Sequence, residues 1–255
     1  MGNRRRQHDR VVLQPLGRNV ATLGVLLMLL VHLVVLGVWA LMGNEAINAV
    51  YHEGGLSWAG VREGRVWQLV SHQWLHGGWF HLLANAFLFY YASARLSHIF
   101  GNSKILQLFL LTSVAAGLAH LASQIMVPSL RGGILVGASG GITGMLLGFF
   151  ALSPQSRMLL LPVSARNLAK GFLISSALLV VMNPALGLPL LGDVGIWISQ
   201  GFGEEIFQWA HLAHFVGGLT GWLCVERFLP KLLSSSDLEK MRREKEMSAE
   251  LLGDG

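Results

Sequence analysis

Apolar residues in this chain fall into six long stretches separated by short polar or charged segments. The stretches cover residues 20–42, 79–100, 105–127, 135–152, 167–191 and 206–229. A bilayer core of about 30 Å requires roughly 20 predominantly apolar residues per helix. The pattern therefore predicts an all-α membrane protein with six transmembrane helices. The first stretch is too long for the apolar region of a signal peptide and lacks an A-x-A cleavage site, which predicts an uncleaved helix.

Polar segments flank and interrupt the six predicted helices. Residues 1–18 form a basic arm, residues 19–230 a single membrane domain and residues 231–255 a charged tail. The segment 43–78, between the first two helices, mixes charges with several tryptophans. Because tryptophan favours the membrane interface, we expect this segment to be a loop in the headgroup region. A second loop, 187–209, is a candidate lid.

The fourth stretch is too short to cross a bilayer if it begins as a helix at Ser139. From there to Leu152 a helix would span about 21 Å at 1.5 Å per residue. Backbone that ends inside the membrane is tolerated only where it is buried in protein or lines a water-filled cavity. The sequence therefore predicts that Ser139 lies at the floor of a hydrated cavity.

The basic residues predict the orientation of the chain. With six spans, 16 of the 19 Lys and Arg residues lie on the side of the termini, and the exceptions are Arg62, Arg65 and Arg131. The positive-inside rule then places both termini in the cytoplasm and opens the cavity at Ser139 to the opposite face. The same rule accounts for the net charge of +5, so no nucleic-acid partner is expected. The compact layout suggests a bacterial inner membrane, with an organellar membrane as the alternative.

Polar side chains within the predicted helices indicate chemistry. His81 and Asn85 are four residues apart and share a helix face, and polar groups inside a membrane usually face the bundle interior or a cavity. Small residues at intervals of four let two helices approach closely; such glycines are Gly140, Gly144, Gly148, Gly217 and Gly221. If those faces pack together, Ser139 approaches His214, and a serine with a histidine base is the minimum for acyl transfer.

Three motifs, which follow one another along the chain in the order expected, resemble those of the rhomboid family of intramembrane serine proteases. They are the G-x-S-G stretch of residues 137–140, the histidines and asparagine of helix two (His76, His81 and Asn85), and Ala213-His214 followed by Gly217 and Gly221. The resemblance implies a six-helix rhomboid-like bundle whose short fourth helix starts at the catalytic serine. Transmembrane proteins would be the substrates, within a lipid environment, and no cofactor would be required.

By the same resemblance, Ser139 is the nucleophile and His214 the general base of a dyad without an aspartate. His81, Asn85 and the backbone N–H of Ser139 would stabilise the oxyanion, while His211 is assigned no catalytic role. Two positions depart from the family. An aromatic residue often lies four residues after the serine, where this chain has Thr143, and a Trp-Arg pair of the first outer loop is Trp67-Gln68 here.

Two other classes of function were weighed against proteolysis. A catalytically inactive rhomboid-like protein that binds membrane proteins is the first, and Thr143 is its support. The second is a channel, transporter or metal-binding protein, because the chain has ten histidines. No acidic residue falls clearly within the core of a predicted span, and a metal site would leave Ser139 unexplained, so no metal is expected.

Overall fold

The computed structural model describes residues 19–152, 154–155, 163–203, 207, 210–228 and 243. Within them, regular structure is helical apart from one isolated antiparallel bridge between Leu56 and Leu135. The basic arm 1–18 and the tail 231–255, except for Arg243, lie outside the described residues.

Eight α-helices have both of their ends within this part of the chain. They are α1 (Val20–Gly54), α2 (Trp58–Arg62), α3 (Gln68–Ser71), α4 (Trp79–Met126), α5 (Ser139–Leu152), α6 (Ala165–Val181), α7 (Leu191–Phe202) and α8 (His211–Phe228). Three short 3₁₀ turns connect some of them: His72–Trp74, Pro128–Leu130 and Pro184–Leu186.

The two longest helices are each interrupted at a glycine. Gly43 in α1 has φ +79° and Gly101 in α4 has φ +76°, and both have extended ψ values. Only glycine adopts that backbone region without strain, so the chain turns at these two points. The break at Gly101 separates the helices predicted over 79–100 and 105–127.

Three elements differ from those predicted. Helix α1 resumes after Gly43 and runs to Gly54, within the segment expected to be a loop. Helix α6 ends at Val181 rather than near residue 191, because the following Asn183-Pro184 pair starts a 3₁₀ turn. Helix α7 occupies part of the segment predicted to be a loop. Helix α5 begins at Ser139, the residue at which the fourth helix was expected to start.

Among the described residues, two helices are long and apolar enough to cross a membrane: α1 and the second part of α4, Asn102–Met126. The shorter apolar helix is α5, with 14 residues. Large apolar side chains are exposed along α1 and α4, for example Leu30 and Phe87. In a membrane protein such side chains contact lipid. The six-span count stays a prediction.

The core forms where α5 packs between α4 and α8. Buried apolar side chains of α1, α4 and α5 meet on one side of α5 and include Met28, Leu82, Phe89, Phe109, Ile142 and Met145. On the α8 side the two glycine faces meet. A Cβ atom at Gly144 would lie 2.7 Å from the carbonyl oxygen of Gly217, and one at Gly148 would lie 3.2 Å from that of Gly221. The two backbones are therefore almost in contact, as the glycine spacing predicts.

Candidate active site

Ser139 is the first residue of α5, and the chain turns sharply just before it. Gly137 has φ +106°, and a Cβ atom there would lie 2.6 Å from the ring of His81. Both the backbone conformation and the lack of space therefore require glycine at this position. The N–H of Gly137 donates a hydrogen bond to the carbonyl of His72 at 2.8 Å, which connects the turn to the segment before α4.

The residues before this turn are extended and are held by Leu56, which lies between α1 and α2. Leu56 and Leu135 exchange two backbone hydrogen bonds, of 2.9 and 2.8 Å. Both leucines are buried and pack with Ala116 and Ala213. Contacts with α4 and α8 therefore position the extended residues that precede Ser139.

The side chains of Ser139 and His214 are in direct contact. The Ser139 Oγ lies 2.7 Å from the His214 Nε2, a hydrogen-bonding distance. His214 lies one turn before Gly217 in α8, and Ser139 adjoins Gly140 in α5, so the close packing of the glycine faces sets this distance. A neutral imidazole that is unprotonated at Nε2 accepts a hydrogen bond from the serine hydroxyl and can take its proton.

His81 and Asn85 lie on the α4 side of the turn before Ser139. A Cβ atom at Gly137 would lie 2.6 Å from His81 Nε2 and 3.7 Å from Asn85 Nδ2, so both side chains border the same point of the backbone. Asn85 is buried, and its Nδ2 donates to the carbonyl of His81 at 2.9 Å. An amide carries two N–H groups, so the second can serve another acceptor.

His76 and His72 support the segment between α3 and α4. The His76 ring meets the His81 ring edge to face, with centroids 5.1 Å apart, and His76 Nδ1 lies 3.3 Å from the Trp74 carbonyl. The His72 Nδ1 lies 2.7 Å from the Gln68 carbonyl. Burial lowers the pKa of both imidazoles to about 4, and they are therefore neutral at pH 7. In both residues Nδ1 lies against a backbone carbonyl, so these imidazoles help to hold the segment before α4.

Gln68, at the position where the family has arginine, is buried and binds backbone groups. Its side chain accepts a hydrogen bond from the N–H of Ser57 at 3.2 Å and donates one to the carbonyl of His52 at 2.7 Å. Trp67 Nε1 donates to the carbonyl of Glu53 at 2.9 Å. The Trp67-Gln68 pair therefore connects α3 to the end of α1, next to the ion pair between Arg65 and Glu53.

Gln124 in α4 was missed by the sequence analysis. Its buried side chain accepts a hydrogen bond from the N–H of Trp58 at 2.7 Å and donates one to the carbonyl of Gly133. It thus joins α2 and the extended segment before Ser139 to the C-terminal end of α4. An amide within an apolar helix was the available signal, because such groups usually face the protein interior.

Thr143 takes a different role from an aromatic ring at that position. Its hydroxyl donates to the carbonyl of Ser139, four residues earlier in the same helix, at 2.7 Å. The ring that adjoins His214 is that of His211, with centroids 6.4 Å apart at an interplanar angle of 76°. Within the described ranges, no group of three or more His, Cys, Asp or Glu side chains is placed to hold a metal ion.

Comparison with known proteins gives one family and several plant relatives. A model of the Rhomboid domain matches residues 63–230. RHOMBOID-like protein 7 of Arabidopsis thaliana is 30% identical over 172 residues, which are 67% of this chain and 47% of the relative. RHOMBOID-like protein 5 of the same plant is 37% identical over 86 residues, 34% of this chain and 26% of the relative. Inactive RHOMBOID-like protein 8 is 29% identical over 111 residues, 43% and 31% of the two chains.

These matches cover about a quarter to a half of the relatives' own lengths. All three are plant proteins, so they give no support to the expected bacterial inner membrane.

Proposed function

Because the chain belongs to the rhomboid family, we propose that it is an intramembrane serine endopeptidase. It cleaves transmembrane segments of other membrane proteins near the outer membrane face. The observation that carries the proposal is the 2.7 Å distance between Ser139 Oγ and His214 Nε2. This is the geometry that activation of a serine by a histidine base requires.

In the first half of the reaction, Ser139 attacks the substrate carbonyl. His214 takes the hydroxyl proton as the bond from Oγ to carbon forms, and the carbonyl becomes an oxyanion. Breakdown of this intermediate cleaves the carbon–nitrogen bond, and His214 gives its proton to the departing amine. The serine is left as an acyl ester.

The oxyanion is stabilised by groups on two helices. The N–H of Ser139 is at the N-terminus of α5, where backbone N–H groups lack partners within the helix and the helix dipole favours negative charge. His81 and Asn85 supply donors from α4, and both border Gly137, two residues before the nucleophile. Removal of one such donor typically lowers kcat by about 10²- to 10³-fold.

In the second half, water hydrolyses the acyl ester. His214 takes a proton from the water, whose oxygen attacks the ester carbonyl, and then returns the proton to Ser139 Oγ as the carboxylic product leaves. Only a locally unwound helix exposes its carbonyls, so substrates should have helix-weakening residues near the cut. We also infer that both termini face the cytoplasm, from the basic residues.

An inactive rhomboid-like protein is the second candidate. One relative carries the word inactive in its name, and Thr143 replaces an aromatic residue. Such a protein would bind membrane proteins without cleaving them. The contact between Ser139 and His214 favours the protease.

The test uses the full chain in liposomes with a transmembrane reporter and a fluorophosphonate probe for serine. The wild type should cleave the reporter and carry the probe on Ser139, whereas Ser139→Ala and His214→Ala should do neither. Ser93→Ala is the matched control, because Ser93 is a buried serine of α4 outside the site. A wild type that folds like Ser93→Ala but neither cleaves nor reacts would establish the inactive alternative.

A further inference from the structure

The segment from Met182 to Gly203 carries a helix that the sequence pattern did not predict. It connects α6 to the part of the chain that leads to α8, and it contains α7 (Leu191–Phe202). Of its 22 residues, Asp193 alone is charged. Glycines and apolar side chains make up most of the rest.

Helix α7 is attached to the protein along one narrow side. Gly192 and Gly195 are buried, and a Cβ atom at Gly195 would overlap the backbone carbonyl of Met182. The same atom would lie 3.2 Å from the ring of Pro184, so α7 packs against the turn that follows α6. Helix α7 therefore packs against the turn after α6 through the side that carries Gly195.

Apolar side chains of α7 point away from the protein. Leu190, Trp197 and Phe202 are 79%, 70% and 76% exposed, and Val194 is exposed as well. Val194 and Phe202, eight residues apart, lie on one side of the helix, and Leu190 precedes its first turn. Asp193 and Gln200, which are also exposed and seven residues apart, lie on the other side, with the exposed Ile196 between them. Trp197 lies next to both polar residues, because it is four residues after Asp193 and three before Gln200.

We propose that α7 lies in the plane of the membrane at the outer interface, with Leu190, Val194, Trp197 and Phe202 inserted into lipid. A short helix with an exposed apolar side and a few polar side chains elsewhere is typical of an interfacial helix. Tryptophan is enriched at that depth. This inference depends on membrane residence and not on catalysis by Ser139.

The position of α7 in the fold identifies lipid as the occupant of this apolar face. Ser129, just after α4, donates a hydrogen bond to the carbonyl of Ala185 at 3.0 Å, so the turn before α7 is held at the end of α4. Met126, the last residue of α4, is exposed. On α6, the exposed side chains of Ile174 and Leu178 lead towards the same turn. The apolar face of α7 thus continues the lipid-facing surface of α4 and α6.

The test measures the surroundings of single positions of α7 in liposomes. In a Cys224→Ala background, which removes the sole native cysteine, one cysteine is introduced at Val194 or Phe202 and spin-labelled. Matched controls carry the label at Asp193 or Gln200, on the other side of the same helix. Collision with oxygen, which concentrates in lipid, is compared with collision with a water-soluble nickel chelate.

We expect the ratio of oxygen to nickel accessibility to be several-fold higher at positions 194 and 202 than at 193 and 200. Equal ratios at all four positions would overturn the proposal. So would low accessibility to both reagents at 194 and 202, which would indicate coverage by protein, including a second copy.

A second measurement needs no label. The emission of the wild type minus that of Trp197→Phe reports Trp197 alone, and the substitution keeps an apolar ring at this exposed position. Brominated lipid should quench this difference emission, whereas aqueous iodide should not. Quenching by iodide and not by brominated lipid would contradict insertion of α7.

Discussion

Replacement of Gly144 by alanine tests whether glycine packing between α5 and α8 sets the catalytic distance. A Cβ atom at Gly144 would lie 2.7 Å from the carbonyl oxygen of Gly217 and 2.5 Å from Thr112 Cβ. The first neighbouring atom belongs to the backbone, and the second is the Cβ atom of the buried Thr112. Neither can rotate out of the way.

The size of the effect follows from these distances. Ordinary contact begins at 3.4 Å, so α8 must move away from α5 by roughly 0.7 Å. Overpacking of this kind costs about 1–3 kcal/mol of stability. Because Ser139 and His214 are on the two helices that separate, their 2.7 Å contact lengthens with them. A misplacement of about 1 Å can cost about 10²-fold, so we expect cleavage to fall by about 10- to 100-fold.

The assay combines unfolding in detergent with cleavage and probe labelling of Ser139 in liposomes. Gly171→Ala is the matched control, because Gly171 is in α6 and a Cβ atom there would meet nothing within 4 Å. Removal of an exposed helical glycine should leave activity unchanged and raise stability by up to about 1 kcal/mol. If Gly144→Ala is as stable and as active as Gly171→Ala, the glycine packing does not set the distance.

Three further predictions concern the oxyanion site, the outer segment and pH. Asn85→Ala should lower kcat by about 10²- to 10³-fold with little loss of stability, and unchanged kcat would exclude it as an oxyanion donor. Gln68→Ala should cost about 1–3 kcal/mol of stability, because the backbone groups of His52 and Ser57 lose buried partners; an unchanged unfolding midpoint would contradict this. His72 lies outside the spanning helices, and burial lowers its pKa from 6.5 to about 4. The unfolded chain therefore binds a proton that the folded chain does not, so stability should fall as pH drops from 6.5 to 4. His72 alone would contribute up to about 3 kcal/mol to this fall. Thermal unfolding of His72→Asn should depend less on pH over that range than that of the wild type, and equal slopes would refute the reasoning.

The sequence alone determined the helices that are long and apolar and the faces by which two of them pack. Hydrophobic length and glycine spacing are local properties, and they act in the same way wherever the helices lie. This is why α5 and α8 could be expected to meet with Ser139 close to His214. The contact between those two side chains could therefore be predicted from the sequence pattern.

Tertiary structure alone decided the elements whose stability comes from distant partners. Gln68 and Gln124 can be buried because their side-chain amides form hydrogen bonds with backbone groups of other segments. The local sequence pattern does not indicate which backbone groups these are. Helix α7 contains three glycines, which disfavour a helix, yet it forms where Gly195 packs against Met182. A glycine lowers intrinsic helix propensity but permits close approach, and only the folded chain shows which of these two effects prevails.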